Sequence, residues 1–181
     1  MAEEKLHGFP ELVKQGHSLD PGPFTLDLYR LTCMVLADRE VAKHTLKSDS
    51  FKTLQGTYLR SEVARILISC AIGLRIRSDQ AWNLDLDTIE RWSDCGKLYP
   101  DWPAPENTFD VLKLREACNK IIHATDIRFD EVIPDASTNP DQEGVYLQPF
   151  LYLYGKKDRH DWRAVLSIID FVKWGTAAFQ A

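Results

Sequence analysis

The residues best suited to chemistry in this chain lie in one short row, Arg115, Asn119 and His123. They are spaced by four. On an α-helix each such step advances about 400°, so the three form a slowly drifting row along one side. A histidine beside a core exchanges a proton near neutral pH. An asparagine one turn away can hold an imidazole nitrogen or a hydroxyl. An arginine can grip a phosphate with two hydrogen bonds. Together they suit metal-free RNA cleavage: a 2′-hydroxyl attacks its own phosphate, the imidazole acts as base or acid, and the cation steadies the added negative charge. The same three residues also suit a purely structural network, with His123 bonded to a neighbouring helix or to the chain that follows it.

The row needs a helix to carry it. Residues 108–126 supply one by pattern, because Val111, Leu114, Cys118, Ile121 and Ile122 recur at three- and four-residue steps and share a core-facing stripe. The other polar positions, Lys113, Glu116 and Lys120, read as solvated charges.

Other chemistries find less footing. There is no GxxxxGK[ST], GxGxxG, HExxH or GxSxG run. His7, His17, His44, His123 and His160 show no ligand spacing, so neither a metal nor a cofactor is expected. The four cysteines, Cys33, Cys70, Cys95 and Cys118, are far apart and read as buried thiols in a reducing compartment. The net charge of −5 opposes broad binding to a phosphate backbone but allows a local basic patch. Met1 to His7 has neither the basic nor the apolar region of a signal peptide. No apolar run approaches the roughly 18 residues that span a bilayer, so the protein is expected in the cytoplasm and off the membrane.

Around the motif helix the pattern predicts one domain of 181 residues with an arm at its start, residues 1–23, and a short helix near Glu11 to Gln15. Asp20-Pro-Gly-Pro opens a helix over 24–47, with Phe24, Leu28, Leu31, Val35 and Leu36 inward and Asp27, Arg30, Asp38, Arg39 and Lys43 outward. Ser48 or Ser50 caps a second helix over 51–77, irregular at Gly56, whose apolar surface runs from Leu54 and Tyr58 to Leu74. Its arginines, Arg60, Arg65, Arg75 and Arg77, read as ion pairs or as partners of the polar row. A short helix is expected over 86–95, before Pro100, Pro103 and Pro105. Trp82, Trp92 and Trp102 read as pins for that loop, or as rings that stack on bases. The period then changes to two, giving a hairpin from 126–133 and 145–155 around the polar loop 134–144, with Pro149 forcing a bulge or an edge. Trp162, Val165, Leu166, Ile169, Val172 and Trp174 predict a closing helix over 160–178, capped by Asp161.

Cys118-Asn119-Lys120-Ile121-Ile122-His123 resembles the motif of the HEPN superfamily (higher eukaryotes and prokaryotes nucleotide-binding). Active members carry an arginine, usually a polar residue such as Asn, then three to five residues and a His. Here Asn119 and His123 match, and Cys118 stands at the arginine position with Arg115 almost one turn earlier. The resemblance implies a mainly α fold: a helical bundle with a C-terminal β-hairpin, inserted over residues 126–155, and a closing helix. It also implies a homodimer that joins two motif helices in one cleft. The activity implied is a metal-independent endoribonuclease of toxin–antitoxin, phage-defence or CRISPR-associated systems, or a binding module in members that have lost the motif.

Two readings follow. In the first the chain binds RNA or a nucleotide at Arg115, Asn119 and His123, with cleavage weak or lost. In the second it is a non-catalytic interaction module whose aromatics, Tyr146, Tyr152 and Tyr154, meet a protein partner or a second copy. A solvent-open His123 favours the first, and a sealed one removes its only base.

Overall fold

A computed structural model describes residues 19–80, 84–133 and 144–181. The short helix expected near Glu11, Trp82 and most of the polar loop after Ile133 lie outside them. Helix α1, Gly22–Thr45, opens as its sequence dictates: the Asp20 carboxylate accepts the Gly22 N–H at 2.9 Å, and Pro23 sits in the first turn, where no N–H is needed. Leu28, Leu31, Val35 and Ala42 face the core. Leu36 does not; it is 62% exposed.

Asp38 reverses the expectation of a wet face, being 2% exposed. Its carboxylate accepts the Gln55 side-chain N–H at 2.8 Å and the Leu147 backbone N–H at 2.8 Å. Gln55 can reach it because α2, Asp49–Leu54, passes into α3, Arg60–Gln80, through a π turn, Gln55–Leu59. This is the irregularity expected at Gly56. Ser48 holds the cap position without a capping bond. Asp38→Ala would strand two donors and is expected to cost about 3 kcal/mol, lowering the melting temperature by roughly 6–12 °C. A thermal melt within about 2 °C of the parent would contradict this account of Asp38.

On α3, Val63, Ile66, Leu67, Cys70, Ala71 and Leu74 are buried, whereas Leu54 and Tyr58 before it are exposed. Arg60 pairs with Glu131, Arg65 with Glu62, and Arg75 with Asp79 at 3.5 Å. Arg77 donates to the Ala178 carbonyl at 3.0 Å. The ion-pair reading of these arginines is the one observed.

The remaining elements are α4 (Leu84–Trp92), β1 (Gly96–Tyr99), β2 (Asp110–Val111), α5 (Leu114–His123), β3 (Asp126–Val132), β4 (Tyr146–Lys157), β5 (His160–Ser167) and α6 (Ile168–Gln180). The strands form one antiparallel sheet in the order β2-β1-β5-β4-β3. This overturns the mainly α expectation: the fold is a mixed α/β arrangement with helices on one face of a five-stranded sheet, and not a bundle bearing a lone hairpin. The expected hairpin exists as β3 and β4, but it is only the edge of that sheet. Pro149 lies where β4 bulges, between the pairs Phe129–Leu151 and Glu131–Leu147.

The closing helix is shorter than expected. Trp162, Ala164 and Leu166 are buried in alternation, the strand period, so His160–Ser167 is β5. The helix begins only at Ile168, capped by the Ser167 hydroxyl, which accepts the Asp170 N–H at 3.3 Å, and not by Asp161. The motif helix also loses its first residues, since Asp110 and Val111 pair with β1. Of the tryptophans, Trp102 does pin its loop, meeting Tyr99 edge-on at 5.6 Å, whereas Trp92 is 70% exposed.

Candidate functional site

Helix α5 is held at its start by α4. Lys113 cannot cap it, so the Ser93 hydroxyl accepts the Leu114 N–H and the Glu90 carboxylate accepts the Arg115 N–H, both at 2.9 Å. Lys113 Nζ returns the favour, donating to the Arg91 and Ser93 carbonyls at 2.8 Å. Burial pushes the Glu90 carboxyl up, against the opposing pull of the Arg115 N–H. The stripe of α5 then buries Leu114, Ala117, Cys118 and Ile121.

The row expected to act together divides. Arg115 turns toward the end of α3, donating to Asp79 at 2.8 Å and to Ser78 at 3.2 Å. It lines a small cavity of about 20 Å³ with Arg75, Arg77, Glu90 and Cys118. Asn119 donates to Glu116 at 2.9 Å, and His123 is exposed. Both line a different cleft, of about 350 Å³, between α5 and the β4–β5 turn. A third cavity, of about 110 Å³ near Asp38, is lined by the Asp38–Gln55 and Arg60–Glu131 pairs, which satisfy each other.

Glu116, Lys120, Lys156, Lys157 and Trp162 complete the α5 cleft. Lys120, which the pattern assigns to solvent, is only 8% exposed. Its ammonium lies 4.3 Å from the centre of the Trp162 ring and 3.2 Å from the Glu116 carboxylate. Burial works to raise the Glu116 carboxyl, but hydrogen bonds from Asn119 and Lys120 and the charges of Lys120 and Lys157 outweigh it and hold it below its ordinary value. Lys156 is shared with Asp161 at 3.5 Å. Lys157 has no carboxylate within ion-pair range among the described residues.

The cleft depends on close backbone approach. Gly155 sits where a Cβ would strike the Trp162 ring and come within 3.0 Å of the His123 carbonyl oxygen. The Thr125 N–H donates to the Tyr154 carbonyl at 2.8 Å and ties the end of α5 to β4. A two-residue loop, with Asp158 at φ +57°, then brings Lys156 and Lys157 to the rim. Sequence reasoning missed these lysines because it read 160–178 as a helix. Alternation through Trp162, Ala164 and Leu166 was the signal that places the Lys156-Lys157 pair at a hairpin turn.

Three thiols, Cys70, Cys95 and Cys118, are buried and Cys33 is exposed; all four are free. Desolvation raises the buried three, Cys70 to about 12. Among the described residues no group of three or more His, Cys, Asp or Glu side chains could hold a metal ion, and no helix is long and apolar enough to cross a membrane. No family model, curated protein or solved structure matches this chain.

Proposed function

We propose that this chain binds a phosphate-bearing ligand, a nucleotide or RNA, in the cleft between α5 and the β4–β5 turn. The supporting observation is the convergence of Lys120, Lys156, Lys157, Asn119 and His123 on one open cleft with Glu116 as the sole carboxylate in its lining. Three ammonium groups attract phosphate oxygens. Asn119 adds an amide that can turn to a sugar hydroxyl or base edge. Arg115 takes no part, because Asp79 and Ser78 occupy it in a separate cavity.

A titration of a nucleoside triphosphate and of a short RNA at low salt tests the reading. Lys156→Gln/Lys157→Gln is expected to weaken at least one of them tenfold or more, about 1.4 kcal/mol. Equal binding of both by parent and variant would remove the cleft as a site. A second reading, metal-independent cleavage, is favoured by the exposure of His123 beside these lysines, which can stand in for the missing cation. In that case RNA is cut in the presence of EDTA and His123→Ala abolishes the cut.

A further inference from the structure

The helix layer covers only one face of the sheet, through Leu151, Leu153, Trp162, Ala164 and Leu166. The alternate residues point away from it. The register sets them in two cross-strand rows. One runs Arg128, Tyr152, Val165, Lys97, Val111 across all five strands, and the next runs Asp126, Tyr154, Arg163, Tyr99 across four. At a spacing of about 4.8 Å per strand the longer row spans roughly 19 Å.

This face combines flat rings with positive charge. Arg128 lies over Tyr154 at 4.9 Å, and Lys97 over Phe109 at 4.6 Å. The Arg163 guanidinium is caged by Trp102 at 4.5 Å, Tyr152 at 4.9 Å and Tyr99 at 5.6 Å. Asp126 answers Arg128 at 2.8 Å. Lys97 and Arg163 have no carboxylate partner among the described residues, and the buried Arg163 Nε has no hydrogen-bond acceptor. An uncompensated, half-buried guanidinium is costly unless an anion comes to it. In a chain of net charge −5 this local excess of cations is a segregated feature.

We infer that the outer face of the sheet binds a single-stranded polynucleotide. Its bases stack on Tyr152, Tyr154 and the guanidinium planes above them, and its phosphates reach Lys97 and Arg163. An acidic peptide answers the charges but offers nothing flat to the rings. A duplex keeps its bases stacked on each other and out of reach. The inference shares with the cleft reading only the class of ligand. None of its residues lines the cleft, so either can fail alone.

The experiment uses the full chain and a labelled twelve-nucleotide single strand, as RNA and as DNA, with its duplex and a nucleoside triphosphate as controls. Lys97→Gln/Arg128→Gln, both surface positions, is expected to bind the single strand at least tenfold more weakly. The slope of log affinity against log salt should shrink by about 1.4, two phosphates at about 0.7 each. Nucleoside triphosphate binding should not change. Tyr154→Leu, which keeps every charge, should also weaken the strand several-fold. Lys156→Gln/Lys157→Gln tests the cleft separately, and a strand still bound by that variant supports the outer face on its own. Strand binding unchanged in the Lys97/Arg128 variant overturns the inference. So does duplex binding as tight as that of the strand, or self-association of the parent that this variant abolishes, which would assign the face to a second copy.

Discussion

Arginine placed at Cys118 is expected to unfold this protein. Cys118 is 1% exposed and lies in the core cluster with Ala117, Leu114 and Ile121. The only free space beside it, about 20 Å³, holds about one water and not a guanidinium. Arg75, Arg77 and Arg115 already line that space, so a fourth cation meets like charge, with Glu90 as the one carboxylate in the lining. Burying the charge and overfilling the core together cost about 5 kcal/mol or more, enough to consume most of a typical domain's stability. Cys118→Ser keeps the volume and should cost about 1–2 kcal/mol. Chemical denaturation of both variants decides the matter. A Cys118→Arg protein within about 2 kcal/mol of the parent would mean that the motif helix can present this position to a polar cleft. The residue that stands at the HEPN arginine position is therefore a packing residue here. Any cation working beside His123 comes from Lys156 or Lys157.

Gly96→Ala should be nearly as damaging. Gly96 has φ +135°, a conformation that L side chains rarely adopt, and an added Cβ would run into the Val165 carbonyl oxygen. That oxygen is backbone of the central strand and cannot swing aside. Strain and overlap together are expected to cost about 4 kcal/mol and to lower the melting temperature by roughly 8–16 °C. The damage is local first. Gly96 pairs with Leu166, and its carbonyl accepts the Leu112 N–H at 2.9 Å, so β1 separates from β5 and carries Lys97 and Tyr99 with it. Loss of single-strand binding should accompany the lower melting point. A melting temperature within about 3 °C of the parent would show that β1 can re-register around an alanine.

The helices were legible where their own residues decided them. Asp20-Pro-Gly-Pro, the Val63 to Leu74 stripe and the Leu114 to Ile121 stripe each carry the helical period within one segment. The β3–β4 pair was legible for the same reason, with its alternation and the Pro149 bulge. The other strands were not, because distant pairing makes them strands. Residues 110–111 are too short to show a period, and Gly96–Tyr99 holds its place only against β5. Trp162, Val165, Leu166 and Ile169 fit a helical spacing as well as Trp162, Ala164 and Leu166 fit a strand, and Ala164 is too small to tip the balance. The site was half legible. Asn119 and His123 do share a cleft, but the reach of Arg115 to Asp79 depends on where α3 ends, and Lys156 and Lys157 depend on β5.

The order of strands in the sheet is not the order in which a ribosome delivers them. β5 is fourth to none in position, being the middle strand, yet it is the last of the five in the chain. As the chain emerges, β1 can meet β2 and β3 can meet β4, each as a two-stranded ribbon of marginal stability. The two ribbons have no bond to each other until residues 160–167 arrive and pair on both sides at once. Until then each ribbon offers an open edge to other chains. The sheet closes late, through contacts between segments more than 60 residues apart, so its assembly is set by loop closure across most of its length.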